Sequence, residues 1–277
     1  MQICSASFVL SAGAVALIAF TGIDWARAQQ PPAALATVQE AAPLPLEQIP
    51  QNIQNAVNAS DRPAADKSLD AGRKPEQVLA FFGIQPGMKV ADLFAGGGYT
   101  TELLSRAVGP TGTVYSQNPT FPPEAQQIGQ AWTERLKNPV LKNVIAINKS
   151  FDADDLLPVP PGSLDVVIMN MNYHDLVLRG IDRDKVNAAV YKSLKAGGEY
   201  TIVDHSAKDG SGARDIALHR IDEKFLVEEV QKAGFKLAAG SSALRHPEDD
   251  RTWVTSPRVV GERRGTSDRF MLIFRKP

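Results

Sequence analysis

Short apolar runs alternate with segments of helical periodicity over most of the chain, and this alternation limits the folds open to it. Strands that are joined by helices form a mostly parallel sheet covered by helices on both faces. The predicted strands are 89–95, 111–116, 144–148, 164–169, 198–204, 235–244 and 270–274, and the predicted helices are 74–82, 99–107, 123–136, 185–194 and 221–233.

The last two predicted strands, 235–244 and 270–274, are separated by a polar loop without helical periodicity. Because no helix connects them, we predict that they form a terminal antiparallel strand pair. The predicted fold class is therefore α/β, with a mostly parallel sheet, helices on both faces and this pair at one end. Ligands of such sheets bind beyond the carboxyl ends of the strands, so we expect the site residues just after each strand.

A glycine-rich turn follows the first predicted strand and leads into a helix. Glycine allows positive φ and lets a ligand approach the backbone, and a helix start offers N–H groups. A nicotinamide-binding loop would need the spacing G-x-G-x-x-G, which this turn does not provide. The alternative is a plain strand–helix turn. The candidate ligand-binding residues are Asp92, Phe94, Ala95, Gly96, Gly97 and Gly98.

An acid followed by alternating glycines resembles the first motif of the class I (Rossmann-like) S-adenosylmethionine-dependent methyltransferases. Asp92, Gly96 and Gly98 fall on that pattern, and Phe94 occupies the position of its first glycine. The resemblance covers residues 61–277 and implies a class I methyltransferase-like domain that binds S-adenosylmethionine. It also implies that the side chain ending the second strand holds the ribose, which would be Asn118 in place of the usual acid. Asp152 or Asp154, after the third strand, would lie near the adenine.

The fourth predicted strand runs into the sequence Asn170-Met171-Asn172-Tyr173-His174-Asp175. In the superfamily this position faces the methyl group and the substrate, so Asn170 is assigned to cofactor binding. The Tyr-His-Asp run resembles a subgroup of predicted exported bacterial methyltransferases. Histidine exchanges protons near neutral pH, so His174 beside Asp175 is a candidate general base, and Tyr173 a candidate for orienting the substrate. The alternative is that Asp175 only caps the next helix.

Two further histidines follow at the same expected edge. His205 ends the fifth strand beside Asp204, and His219 lies in the next loop. One interpretation is a proton-transfer network in which His205 joins the catalytic residues. Another is a divalent metal held by His174, His205 and Asp204, and a third is a set of structural hydrogen bonds. The long and scattered spacing argues against the metal, so no metal site is predicted, and the other two interpretations stay open.

The amino-terminal segment has the pattern of a signal peptide over residues 1–28. The apolar run 8–20 is short for a membrane span, and Ala26-Arg27-Ala28 matches a cleavage site. Residues 29–60, rich in Pro, Ala and Gln, are predicted to be a flexible linker before the 61–277 domain. We therefore expect an exported, periplasmic protein, with an uncleaved membrane anchor as the alternative. Cys4 is the chain's one cysteine, so the mature protein would contain neither disulfides nor Cys-ligated metal.

The charge balance gives no sign of a nucleic-acid partner. The formal net charge is -1, and no long run of Lys or Arg occurs. The predicted partner is a small-molecule acceptor, with no stable membrane insertion once the signal is cleaved and no prediction of oligomeric state. The alternative function is a non-catalytic, exported small-molecule or nucleoside-binding protein on the same fold, because the donor is a cytosolic metabolite. An unrelated α/β enzyme such as a dehydrogenase is a third alternative.

Overall fold

Eight strands form one mixed sheet in the part of the chain that the computed structural model describes, which is Met1 and residues 38–277. The predicted signal peptide, apart from Met1, lies outside the described residues. In order across the sheet the strands are β1 (Glu40–Ala41), β7 (Lys236–Ser241), β8 (Arg269–Arg275), β6 (Leu194–His205), β5 (Leu164–Asn170), β2 (Lys89–Leu93), β3 (Thr113–Asn118) and β4 (Val144–Asn148).

The helices occupy the connections between the strands. They are α1 (Gln51–Val57), α2 (Ala64–Arg73), α3 (Pro75–Phe81), α4 (Tyr99–Val108), α5 (Gln126–Arg135), α6 (Tyr173–Leu178), α7 (Arg183–Ser193) and α8 (Glu223–Lys232). Among Met1 and residues 38–277, no helix combines the length and the apolarity that a bilayer crossing needs.

The predicted fold class is confirmed. β2, β3, β4, β5 and β6 pair in parallel, whereas β8 runs antiparallel to both β6 and β7. In β5 the residues Val166, Val167, Ile168 and Met169 are all buried, because helices cover both faces of a parallel sheet. This burial explains why the strand has a continuous apolar run instead of an alternating pattern.

The sheet brings three strand ends together. Leu93 of β2 lies opposite Met169 of β5, and Asn170 of β5 lies opposite Val203 of β6. The glycine turn, the segment after Asn170 and the end of β6 therefore meet at one edge. The chain order reverses between β2 and β5, which is the place where open α/β sheets bind their ligands.

The predicted linker is wrong for residues 38–60, which belong to the folded domain. Glu40 of β1 pairs with Gly240 of β7. α1 buries Ile53, Ala56 and Val57, which follow one another at helical spacing. This apolar face was obscured by the surrounding Pro, Ala and Gln, and Pro50 stands at the helix start, where its missing N–H costs nothing.

Candidate active site

The glycine turn between β2 and α4 contains three residues with positive φ and has open space beside two of its glycines. Phe94, Gly96 and Gly98 have φ values of 57°, 59° and 88°. A Cβ added at Gly98 would lie 2.4 Å from the buried ring of Trp132, so glycine is required there for packing as well as for conformation. A Cβ at Gly96 or Gly97 would meet no atom within 4 Å. The turn therefore leaves a cradle in which a ligand can approach the backbone.

The acidic side chain of Asp92 and the positively charged side chain of Arg73 flank this turn. Asp92 is 2% exposed, and its Oδ2 accepts a hydrogen bond of 2.6 Å from the hydroxyl of Thr101. Burial raises the pKa of Asp92 to about 7, although Thr101 and the positive charge of Arg73 oppose that rise. The guanidinium of Arg73 lies 4.3 Å from the ring centroid of Tyr99 and has no hydrogen-bond partner among the described residues. Asp92 and Arg73 together suit a ligand that carries both an ammonium and a carboxylate group.

Asn118 holds the glycine turn in place. Its Oδ1 accepts a hydrogen bond of 2.8 Å from the N–H of Gly96, and its Nδ2 donates one of 3.0 Å to the carbonyl of the same residue. The side chain is 1% exposed. The predicted contact with a ribose is therefore not supported, because both ends of the amide are engaged with the turn and almost none of it is accessible.

An aromatic pair lies beside the turn. The ring of Phe94 contacts that of Phe151 edge to face, with 5.6 Å between centroids, and the guanidinium of Arg179 lies 4.9 Å from the Phe94 centroid. Asp152 directly follows Phe151 and is exposed. Asn170 donates a hydrogen bond of 3.3 Å to the hydroxyl of Thr100 at the start of α4. Asn170 therefore contacts the helix that follows the turn, Asp152 follows a residue packed on Phe94, and the cofactor contacts of both remain predictions.

The segment after β5 places His174 against the end of β6. Nδ1 of His174 lies 2.6 Å from Oδ1 of Asp204, and the His174 backbone N–H donates to Oδ2 of the same carboxylate at 2.9 Å. Both side chains are buried. Burial lowers the pKa of His174, but the negative charge of Asp204 and its hydrogen bond outweigh that effect and leave the pKa above its usual value. The pair has the arrangement of a general base and the acid that orients it.

Two more histidines and an acid complete the cluster. Nε2 of His174 lies 3.2 Å from Nδ1 of His219, and Oδ1 of Asp175 lies 3.7 Å from that Nδ1. The ring of His205 is 5.8 Å from that of His174, and its Nδ1 is hydrogen-bonded to Ser267 at 2.8 Å. Burial, followed by the charge of His174, lowers the pKa of His205 and of His219. Among the three rings, His174 is therefore the strongest base.

Tyr173 does not reach this cluster. The side chain is fully buried, its hydroxyl accepts a hydrogen bond of 2.9 Å from Asn187 and donates one of 3.2 Å to Glu229. The prediction that Tyr173 orients a substrate is therefore corrected, since its polar atom is engaged with α7 and α8. Arg73, by contrast, was missed from the sequence, where a lone arginine in a polar helix carries no distinguishing signal.

Three comparisons with known proteins were made, with family models, with curated sequences and with solved structures. No model of a known protein family matches the chain. The chain is 28% identical over 125 residues to a ubiquinone/menaquinone biosynthesis C-methyltransferase of Shewanella halifaxensis, a match that spans 45% of this chain and 45% of that enzyme. The match therefore covers less than half the length of this curated relative.

Solved structures with the same fold cover more of the chain. A SAM-dependent methyltransferase from Aquifex aeolicus superposes with a TM-score of 0.53 at 20% identity, over 77% of this chain and 97% of that one. Geranyl diphosphate C-methyltransferase from Streptomyces coelicolor superposes with a TM-score of 0.55 at 12% identity, over 87% and 94%. On the sheet order, the glycine turn and these superpositions, the chain has the fold of the class I S-adenosylmethionine-dependent methyltransferases.

Proposed function

We propose that this protein is an S-adenosylmethionine-dependent methyltransferase that acts on a small-molecule acceptor. The observation that carries the proposal is the open glycine cradle over Gly96 and Gly97, which lies at the same sheet edge as the His174–Asp204 pair. When bound, S-adenosylmethionine supplies an electrophilic methyl group on a sulfonium. The protein then has to align donor and acceptor and to exclude water.

The residues around the cradle fit the amino-acid end of this donor. Asp92 and Arg73 offer one partner for an ammonium group and one for a carboxylate, and the charge of Arg73 lowers the pKa of Asp92. The Phe94–Phe151 pair presents aromatic surface beside the turn, which suits the apolar face of an adenine. Asp152, next to that pair, remains a predicted contact with the adenine.

The His174–Asp204 pair would prepare the acceptor. Asp204 accepts the hydrogen of Nδ1, which leaves Nε2 of His174 with the lone pair that can remove a proton from a hydroxyl or an amine. Asp204 also accepts a hydrogen bond of 2.7 Å from the backbone N–H of His205. The carboxylate is therefore held from both sides and keeps the imidazole in one tautomer.

The net charge of the chain and the names of two similar enzymes support a small-molecule acceptor. The net charge of -1 gives no electrostatic basis for binding nucleic acid. The names of the Shewanella and Streptomyces enzymes both refer to C-methylation in small-molecule chemistry. An exported, periplasmic location remains part of the proposal, and it is supported by the apolar run 8–20 and the Ala26-Arg27-Ala28 pattern.

The second candidate is a non-catalytic binding protein on the same fold. The observation that favours it is Asn118. This residue occupies the position at which the resemblance implies an acid bound to the ribose, and its amide is hydrogen-bonded to Gly96. Such a protein would bind nucleosides or small acids without turning over the donor.

Calorimetric titration of S-adenosylmethionine and S-adenosylhomocysteine tests the proposal. We expect binding to the wild-type chain that is lost in Gly97→Trp, because the indole would fill the cradle, whereas an Ile145→Trp control on exposed β4 binds normally. Formation of S-adenosylhomocysteine with a panel of phenols, enols and amines then tests turnover. Donor binding without turnover would favour the second candidate, and a folded wild type that does not bind the donor would exclude the first.

A further inference from the structure

Three donor atoms, two from the start of α6 and one from the loop between β6 and α8, converge beside the His174–Asp204 pair. They are Nε2 of His174, Nδ1 of His219 and a carboxylate oxygen of Asp175. The His174–His219 distance is 3.2 Å, the His219–Asp175 distance is 3.7 Å and the His174–Asp175 distance is 3.9 Å. A tetrahedral cation with bonds of about 2.0–2.2 Å needs donors that are about 3.4 Å apart. The three atoms therefore have the spacing of a ligand set.

The atoms behind these donors also have the arrangement of a metal site. Because Asp204 accepts the hydrogen of Nδ1 at 2.6 Å, the lone pair of His174 is directed from Nε2 toward His219. A carboxylate bound to the far nitrogen of a ligand histidine is the usual partner that orients the ring and raises its basicity. Asp204 would take that role.

His219 is held at this position by a constrained backbone. Its φ is 54°, a left-handed conformation that is strained for a residue with a side chain and persists where its surroundings enforce it. Thr255 provides that restraint, since its N–H donates to the carbonyl of Leu218 at 3.0 Å and its hydroxyl to the carbonyl of His219 at 2.7 Å. The ring is thus directed at His174 by structure outside the cluster.

The charges around the cluster favour a dication. Asp175 and Asp204 contribute two carboxylates at a site where His174 and Asp204 are buried. Two buried or half-buried negative charges require compensation. Arg179, whose positive charge acts on His219, has its guanidinium against the ring of Phe94, and the neighbouring Arg220 is paired with Asp249. A divalent ion would balance both carboxylates.

We propose that His174, Asp175 and His219 bind one divalent transition-metal ion of the Zn²⁺ type. Two imidazoles and one carboxylate favour such ions over Mg²⁺ and Ca²⁺, which prefer oxygen ligands alone. This set differs from the one considered from the sequence, because Asp204 serves as the partner of His174 and His205 is bonded to Ser267. The 45-residue separation of His174 and His219 concealed their proximity.

Three protein ligands leave a coordination position for water or for an oxygen of the acceptor. This second part rests on the proposed function. An acceptor hydroxyl bound there would lose its proton to water more readily, and its oxygen would form a bond to the methyl group as the S–CH₃ bond of the donor breaks. In the metal-bound state Nε2 of His174 is a ligand, so the metal and not the imidazole activates the acceptor. The acceptor would be a phenol or an enol.

Titration of the chelator-treated, full-length chain with Zn²⁺ by calorimetry, and with Co²⁺ by visible absorption, tests the site. We expect about one equivalent per chain, with Co²⁺ absorption of mixed nitrogen and oxygen coordination. His219→Ala and the nearly isosteric Asp175→Asn should each weaken Zn²⁺ binding at least about tenfold, and Asp204→Asn about 10- to 100-fold. His246→Ala is the matched control, since that ring pairs with Glu248 at 3.1 Å outside the cluster.

The outcomes separate this site from the proposed function. Absence of metal binding by a folded wild type, or equal affinities in His219→Ala and His246→Ala, would overturn the metal site. Circular dichroism and thermal unfolding establish that each variant is folded. Metal binding by a chain that does not bind the donor would leave the site standing and remove only its role in methyl transfer.

Discussion

Nδ1 of His174 lies 2.6 Å from Oδ1 of Asp204, and this contact joins the segment after β5 to the end of β6. The two residues are 30 positions apart in the chain and meet because β5 and β6 are neighbouring parallel strands. Asp204 also accepts the backbone N–H groups of His174 and His205. The carboxylate therefore fixes both the position and the tautomer of the imidazole.

Replacing Asp204 with Asn should lower kcat for methyl transfer while leaving donor affinity unchanged. The amide keeps an oxygen acceptor but carries no charge, so it no longer raises the pKa of His174 or favours a single tautomer. For the metal-free enzyme, in which Nε2 of His174 is the general base, we expect a loss of about 10²- to 10⁴-fold. The measurement is steady-state formation of S-adenosylhomocysteine alongside calorimetric donor titration. An unchanged kcat would show that the pair has only a structural role.

The stability of the protein should carry a pH dependence from Asp92. The folded-state pKa of about 7 lies above the ordinary aspartate pKa of 3.8 in the unfolded chain, so the folded state binds more protons than the unfolded state between these values. The stabilising contribution of the protonated form is therefore present at low pH and lost as the pH rises through 7. We expect the Asp92→Asn variant to gain about 2–3 kcal/mol relative to the wild type between pH 5 and pH 8.

Chemical denaturation of the two proteins at pH 5 and pH 8 measures this difference directly. Thr101 offers a control, because Thr101→Val removes the hydrogen bond to Asp92 but not its carboxyl group and should preserve the direction of the pH dependence. A difference between Asp92→Asn and the wild type that stays constant across the range would show that Asp92 ionises normally.

Neighbouring glycines in the turn should respond differently to alanine. At Gly98, with φ of 88°, the new Cβ would lie 2.4 Å from Trp132, so Gly98→Ala should cost more than about 2 kcal/mol of unfolding free energy. At Gly97 the Cβ would meet nothing within 4 Å, so Gly97→Ala should stay within about 0.5 kcal/mol. Urea denaturation of both variants checks this, and equal losses would contradict the placement of Trp132.

The parts of this structure that depend on local pattern could be predicted from the sequence. The apolar runs marked the strands from β2 to β8, and the missing helix before β8 indicated its antiparallel direction. α2 was missed because Leu69 is the one large apolar residue in its sequence AADKSLDAGR, and the helix is held by ion pairs, among them Asp70 with Arg62 and Asp66 with Arg135. Such pairs depend on tertiary contacts that no periodicity records.

For the candidate site, too, the position of a residue in the chain was predictable and the direction of its side chain was not. Position at or near the carboxyl end of a strand was enough to place Asp92, His174 and Asp204 at one sheet edge. Side-chain direction was not predictable, because Tyr173 is next to His174 in the chain yet its hydroxyl is hydrogen-bonded to Asn187 and Glu229. Asn118 likewise has the predicted position, but its amide is engaged with the backbone of Gly96.

Arg73 should recognise the carboxylate of the donor. Its guanidinium lies over Tyr99 beside the glycine turn, has no hydrogen-bond partner among the described residues, and acts on Asp92 through its charge. We expect Arg73→Gln to weaken binding of S-adenosylmethionine about 10- to 100-fold, which corresponds to the loss of a partly buried charge-assisted hydrogen bond. The informative comparison is with decarboxylated S-adenosylmethionine, for which wild type and variant should have similar affinities. Arg214→Gln is the matched control, since that exposed side chain donates to the carbonyl of Gly210 in the loop between β6 and α8 and has no contact with the glycine turn among its hydrogen bonds. If Arg73→Gln weakened both donors equally, the arginine would be acting on the fold of the turn and not on the carboxylate.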